Sequence, residues 1–244
     1  RSSPRYRNPR VKPSWYKARQ RSITPAQKRV ESRLWPLHGL TFAHNQPIDL
    51  DAAFGGQPSL LHASPHASPH ASPHASPLSF AASPAPSAAS PRSSPRTTLE
   101  IGCGCGEAIV AMAVARPGDR YLGVDWFRSG LAISLSEIER AGLSNVRLVR
   151  SDAMSLLEVG LPAVPLFDEV KIFFPDPWRG SHERRIVRAS LLEQLSRRMR
   201  SGGYVHIATD VEGYPEHIIQ VFGSAHTRGW RWSRLMIEAQ GEGQ

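Results

Sequence analysis

From Thr98 onward the apolar positions fall into short continuous runs, separated by stretches in which they recur at helical spacing. The runs at residues 99–102, 121–126, 146–149, 169–174 and 204–208 read as buried strands, and 232–237 as a last one. Between them, residues 107–115 read as a helix stopped by Pro117-Gly118, and residues 129–141 as a helix closing at Gly142. Over residues 184–200, Val187, Leu191, Leu195 and Met199 recur every fourth position and predict one apolar stripe, with Arg185, Arg188, Arg197, Arg198 and Arg200 on the opposite, solvent-facing side. Strands alternating with helices predict an α/β fold with a parallel, doubly wound sheet. Upstream, residues 24–35 read as a helix with Thr24 as N-cap and Pro25 at the first helical position, and residues 49–54 as a short helix. This small piece is expected to pack on, or arch over, the α/β core.

The pattern breaks between the two parts. From His62 to Pro77 the tetrapeptide His-Ala-Ser-Pro occurs four times, and a Ser/Ala/Pro bias continues to about Arg96. A proline at every fourth position forbids helix, and Ala and Ser bury too little apolar surface to offset the entropy of ordering. The organisation read from the sequence is therefore an N-terminal arm with a short helical segment (1–57), a disordered Ser/Pro/His-rich insertion (58–97) and an α/β domain (98–244). With no helix to align them on one face, the four repeat histidines do not predict a metal site.

Charge sharpens the picture of the arm. Residues 1–35 carry eleven Lys and Arg against a single acid, Glu31, a net +10, whereas the remaining 209 residues net −1. Interleaved with Tyr6, Trp15 and Tyr16, such an arm suits phosphate contacts and base stacking. No apolar stretch approaches the roughly 18 residues of a membrane span and no secretory signal pattern opens the sequence, so a soluble, cytoplasmic protein is expected. Cys103 and Cys105, the only cysteines, are one residue apart, which suits neither a disulfide framework nor a zinc site; they read as small turn side chains, and no metal is expected.

Candidate chemistry gathers at the ends of the predicted strands. Phe173-Phe174-Pro175-Asp176-Pro177-Trp178 ends a strand in two prolines, neither of which donates a backbone hydrogen bond, so Asp176 is held at the C-terminal edge of the sheet. Ligands bind along that edge in open α/β sheets, and a carboxylate beside a large aromatic suits a polar, nitrogen-rich ring. Glu100-Ile101-Gly102-Cys103-Gly104-Cys105-Gly106-Glu107 reads as strand, glycine turn and helix start. Asp125 ends the next strand, placed to accept from ribose hydroxyls, and Asp152 follows the third, placed to accept from an adenine amino group. A dinucleotide site wants a third glycine where Glu107 stands, and Glu100 and Glu107 would repel a pyrophosphate. The same carboxylates favour the sulfonium and ammonium of S-adenosylmethionine.

These residues carry a resemblance. Leu99-Glu100-Ile101-Gly102 with its glycine turn, Leu122-Gly123-Val124-Asp125, the Phe173 to Trp178 motif, Arg184-Arg185-Ile186-Val187, and Ala208-Thr209-Asp210 with Tyr214 and Glu216-His217 resemble the tRNA (guanine-N7)-methyltransferase family. The resemblance implies a Rossmann-like class I methyltransferase fold of seven strands, S-adenosylmethionine as cofactor, tRNA as partner, and methyl transfer to N7 of the guanosine at variable-loop position 46. Carried over by position, it implies that Glu100, Gly102, Gly104, Asp125, Asp152 and Asp176 hold the cofactor, that Asp176 is catalytic, and that Arg179, Gly180 and Asp210 meet the substrate. Guanine N7 already offers a lone pair, so no base is needed to free it, and catalysis must come from alignment plus a carboxylate that steadies the forming cation. Arg179, His182, Arg184 and Arg185 are candidates for phosphate contacts.

Two departures mark this chain. Gly180 stands where family members usually carry a Lys, and the loop leading to Arg184-Arg185 is about two residues shorter. A Thr-x-Phe-Glu substrate motif and the final strand are not evident, which predicts a missing seventh strand and an exposed sheet edge. The readings left open are a non-catalytic RNA-binding module that keeps the pocket, or a methyltransferase for another substrate. The need for a partner subunit is open too.

Overall fold

A computed structural model of the chain describes residues 23–44, 46–55, 94–226 and 236–239. Most of the basic arm and the whole His-Ala-Ser-Pro repeat lie outside the described residues, as do residues 227–235.

Alternating apolar runs become strands as expected: β2 (Thr97–Ile101), β3 (Arg120–Asp125), β4 (Val146–Arg150), β5 (Phe167–Phe173) and β6 (Met199–Thr209). Two further strands flank them, β1 (Gly39–Leu40) and β7 (Met236–Ala239), in the order β1-β4-β3-β2-β5-β6-β7. Every pairing is parallel. The sheet of the described residues thus has seven strands, but one of them is the two-residue β1, supplied at the opposite edge by the N-terminal piece. No apolar run marks β1 in the sequence; its pairing with Leu148 and Val149 makes it a strand. The described part of the last strand, Met236–Ala239, overlaps the end of the predicted 232–237 and pairs with His206–Thr209 of β6, while residues 232–235 lie outside the described residues.

Helices cover both faces. On one, α3 (Glu107–Ala115), α4 (Arg128–Arg140) and α1 (Pro25–His38) bury Ile109, Ala113, Leu131, Leu135, Ile138 and Leu34 against Tyr121, Val146 and Leu148. On the other, α6 (Ala189–Ser196) and α7 (Tyr214–His226) bury Leu191, Leu195, Tyr214, Ile218 and Phe222 against Leu99, Ile101, Val170, Ile172, Val205 and Ile207. α1 starts where the sequence placed it, because Thr24 accepts from the Gln27 amide while the Gln27 side chain accepts from the Thr24 amide. Arg128 pairs with Glu31 at 2.5 Å and ties α1 to α4. The short α2 (Leu50–Gly55) is held by Arg147, whose Nε donates to the Ala53 carbonyl at 2.9 Å and whose guanidinium lies over the Phe54 ring.

The predicted helix over 184–200 is the main correction. Only Ala189–Ser196 is α-helical; His182–Arg184 is a 3₁₀ turn, and from Met199 the chain is already strand. Val187, Leu191 and Leu195 are buried as the stripe required, but Arg185 and Arg198, assigned to the solvent face, are buried too. Arg198 sits at the helix end and donates to the carbonyls of Gln194 at 3.1 Å and Leu161 at 2.9 Å. These are last-turn and loop carbonyls that need a donor. Arg185 is buried with its Nε donating to the Pro177 carbonyl, and residues 185–188 are not helical.

One sheet face is unexpectedly polar. In register across β2, β5 and β6 lie Thr98, Glu169 and Tyr204, and beside them Glu100, Lys171 and His206. Thr98, Glu100, Glu169, Lys171 and His206 are buried. Glu169 is clamped by Arg116 at 3.0 Å and Lys171 at 3.5 Å, and burial holds the Lys171 ammonium below its ordinary pKa.

The glycine turn before α3 is tight. Gly106 has φ 90°, and a Cβ there would lie 2.7 Å from Ser134 Oγ and 2.9 Å from its Cβ. Gly106→Ala is therefore expected to cost about 1–3 kcal/mol and to lower the melting midpoint by roughly 2–8 °C. A thermal melt with an unchanged midpoint would contradict that packing.

Candidate active site

The strand order reverses between β2 and β5: from β2 the chain works outward through β3 and β4, then returns to the other side of β2 as β5. Diverging loops open a crevice at the C-terminal ends of such strands. A cleft of about 1100 Å³ lies there, lined by Ile101 and Gly102 after β2, Asp125 and Trp126 after β3, Ser151 to Met154 after β4, and Ile172 to Asp176 with Trp178 after β5. Arg184, Arg185 and Arg188 complete the wall.

Asp125 is spoken for by the backbone before any ligand arrives. One carboxylate oxygen accepts from the Gly104 amide at 2.8 Å and the other from the Phe127 amide at 2.7 Å. It thereby fixes the glycine loop, whose Gly102 and Gly104 have φ of 80° and 52°, and each oxygen retains a lone pair for a ligand hydroxyl. Asp152 caps the short turn α5 (Ala153–Ser155), accepting from the Ser155 amide at 3.0 Å, and so presents its carboxylate from a fixed position in the cleft wall.

Glu100 is placed differently. Its side chain is not part of the cleft wall but is buried in the polar sheet face, with Oε2 making no hydrogen bond among the described residues. Burial first, then the negative charges of Asp125 and Glu107, push its pKa up to about 8. Of the cysteines in the glycine turn, Cys103 is buried and Cys105 half-buried; burial pushes both thiols up, which makes them poor nucleophiles.

Asp176 is exposed at the cleft mouth in a turn the sequence could not draw. Phe174 has φ 49° and Trp178 φ 41°, the only non-glycine residues of the described chain in the left-handed region. Bulky residues adopt it only when their surroundings force it. The forcing contacts are the Phe174 amide donating to Ala208 O at 2.8 Å, Arg185 Nε donating to Pro177 O at 2.7 Å, and the Ser181 amide donating to Trp178 O at 3.0 Å. The Arg184 guanidinium lies over the Trp178 ring, 5.3 Å from its centre. Arg179, Gly180 and Asp210 are exposed outside the cleft lining, Gly180 with φ 80° in the loop after Trp178 and Asp210 directly after β6.

The cleft lining thus mixes the carboxylates of Asp125, Asp152, Asp176 and Glu183 with the guanidinium groups of Arg184, Arg185 and Arg188 and apolar residues that include Val124, Met154 and Phe173. Sequence reasoning missed Ser151, Trp126 and Arg188 as cleft residues. The first two follow strand ends directly, and that position was the available signal. Among the described residues no group of three or more His, Cys, Asp or Glu could hold a metal ion, and no helix is long and apolar enough to cross a membrane.

A doubly wound sheet with carboxylates lining a cleft at its switch point suits a nucleoside ligand, and a family model described as "Putative methyltransferase" matches residues 94–230, which places the chain among the methyltransferases. A tRNA (guanine-N(7)-)-methyltransferase of Nocardia farcinica is 34% identical over 208 residues, covering 84% of this chain and 63% of its own length, so the chain spans less than two thirds of that relative. The enzyme of the same name from Nitrosococcus oceani is 32% identical over 202 residues, covering 82% of this chain and 69% of its own. Among solved structures, a precorrin-6y C5,15-methyltransferase from Geobacter metallireducens aligns with TM-score 0.43 at 15% identity, over 55% of this chain and 64% of the other. The chain belongs to the tRNA (guanine-N(7)-)-methyltransferase family.

Proposed function

We propose that this chain transfers a methyl group from S-adenosylmethionine to N7 of the guanosine at position 46 in the tRNA variable loop. The observation that carries the reading is the strained turn that presents Asp176 at the mouth of a cleft lined by both carboxylates and arginines. The residues fit the cofactor: the carboxylates of Asp125, Asp152 and Asp176 in the cleft lining suit a sulfonium nucleoside, and the buried Glu100, whose Oε2 makes no hydrogen bond among the described residues, lies within electrostatic reach of Asp125.

When bound, the donor supplies an electrophilic methyl on sulfur. Asp125 would hold the ribose hydroxyls with its remaining lone pairs, Asp152 the adenine amino group, and the loop at Gly102 and Gly104 would let the backbone come close. Asp176, held rigidly at the mouth, would grip the guanine edge or steady the positive charge that develops on the purine. Arg179 and Arg184 would hold phosphates, with Gly180 and Asp210 beside the substrate, and the low thiol reactivity of Cys103 and Cys105 leaves them out of the chemistry.

Incubation with methyl-labelled S-adenosylmethionine and bulk tRNA, followed by borohydride reduction and aniline scission at N7-methylguanosine, tests the reading. Label at a single N7 site in the variable loop is expected. RNA binding without label supports the non-catalytic module instead, and label in protein or a small molecule overturns the substrate. Deleting residues 1–20 is expected to weaken tRNA binding and to flatten its dependence on salt, by about one unit of log-log slope for each phosphate the arm neutralises. Unchanged affinity and slope would remove the arm from recognition.

A further inference from the structure

The Asp176 turn holds a conformation that its own residues disfavour, so something outside it must keep it there. Phe174 and Trp178 bracket the Pro175-Asp176-Pro177 segment and both sit at positive φ, a backbone state that such side chains disfavour. Two prolines cannot supply amide donors to lock the segment from within. The donor comes from eight residues along the chain: Arg185 Nε meets the Pro177 carbonyl at 2.7 Å.

Arg185 is itself fixed. It is only 7% exposed, and among the described residues it forms no ion pair with a carboxylate. Its guanidinium instead lies over the Tyr214 ring, 4.8 Å from the centre. Tyr214 is fully buried at the start of α7, with His217 one turn on packed beside it at 5.7 Å between ring centres. His217 Nε2 in turn meets the Val187 carbonyl at 2.9 Å, which ties α7 back to the segment that carries Arg185. A buried guanidinium is costly unless its N–H groups and charge are met, and here the Pro177 carbonyl and the Tyr214 ring meet them.

We infer that Arg185, seated on Tyr214, is a positioning residue: it holds the carbonyl of Pro177 and thereby the strained turn that sets the direction of the Asp176 carboxylate. Its side chain need not touch the reacting atoms, and its effect on the reaction rests on the proposed role of Asp176. Arginine is required because one planar group must both stack on a ring and direct a single N–H at a carbonyl; lysine keeps the charge and does neither in the same geometry.

The test compares wild type with Arg185→Lys and, as a second route to the same clamp, Tyr214→Leu, which removes the ring face while keeping an apolar side chain in the core. Hydrogen exchange read on peptides spanning residues 173–181 is expected to quicken at least tenfold in both variants, with β2 to β4 unchanged. The kcat for tRNA methylation is expected to fall by about tenfold to a hundredfold, while the dissociation constant for S-adenosylmethionine stays within about twofold. Unchanged exchange in the turn overturns the inference, and so does a loss of donor affinity as large as the loss in kcat, which would mean a collapsed pocket. A wild-type chain that leaves tRNA unlabelled would count against the proposed reaction alone, since the exchange result stands or falls without it.

Discussion

Asp176→Ala is expected to lower methyl transfer to tRNA by about a hundredfold to a thousandfold, the scale seen when one aimed electrostatic group is removed from a reacting centre. The protein should stay folded, because the side chain is exposed at the cleft mouth and the turn is held through backbone groups at Phe174, Pro177 and Trp178. Single-turnover rates with saturating donor and tRNA, alongside a thermal melt, separate the two effects. A folded variant with an undiminished rate would take Asp176 out of the chemistry. Asp176→Asn refines the result, since it keeps the shape and two donor or acceptor positions but no charge. If the carboxylate steadies positive charge on the purine, the asparagine variant falls nearly as far as the alanine; if it only grips the guanine edge, part of the rate returns.

The second large effect lies in pH. Glu100 is protonated in the free protein until the pH nears 8, because burial and the charges of Asp125 and Glu107 disfavour its carboxylate. A cationic donor nearby favours the ionised form, so binding should release a proton. The apparent affinity for S-adenosylmethionine is then expected to improve by about tenfold per pH unit from roughly pH 6 toward the Glu100 pKa. Calorimetry in buffers of different ionisation enthalpy would count the proton. Glu100→Gln should bind the donor more weakly at pH 8 and lose the slope, and a flat wild-type profile would reject the coupling.

Stability of the free protein should move the opposite way. A folded-state pKa raised from 4.5 to about 8 means that the native state keeps a proton the unfolded chain has released, so the stabilisation present below pH 4.5 is lost as pH rises to about 8. Glu100→Gln cannot ionise and is expected to melt higher than wild type at pH 9 without donor. The buried Lys171 in register with Glu100 moderates this effect without cancelling it, since its charge favours the Glu100 carboxylate but is itself weakened by burial.

Much of this architecture was legible because parallel strands buried on both faces leave compact apolar runs, and the helices between them leave clean stops. α3 occupies Glu107–Ala115 as read, since Pro117-Gly118 ends it whatever the tertiary context. α7 was missed because Ile218 and Ile219 are adjacent and Gly223 interrupts the stripe, so no single face stands out until the helix is packed. The helix over 184–200 was overread for the converse reason. Its i, i+4 stripe is real at Leu191 and Leu195, but Arg185 and Arg198 have carbonyls to satisfy elsewhere, and those tethers end the helix at both sides.

The site divides along the same line. Asp125, Asp152 and Asp176 were marked by their positions after strand ends, because strand and turn signals are local and the switch-point crevice follows from strand order. The chain by itself thus determined the class of fold, the family and the carboxylates at the cleft. Tertiary structure alone decided that Glu100 lies buried among charged neighbours and that Arg185 turns inward. It also decided that Phe174 and Trp178 accept a backbone state no aromatic prefers. These are outcomes of burial and of contacts between residues distant along the chain, such as Phe174 with Ala208 and Arg185 with Tyr214, and no local pattern of hydrophobic and polar positions encodes them.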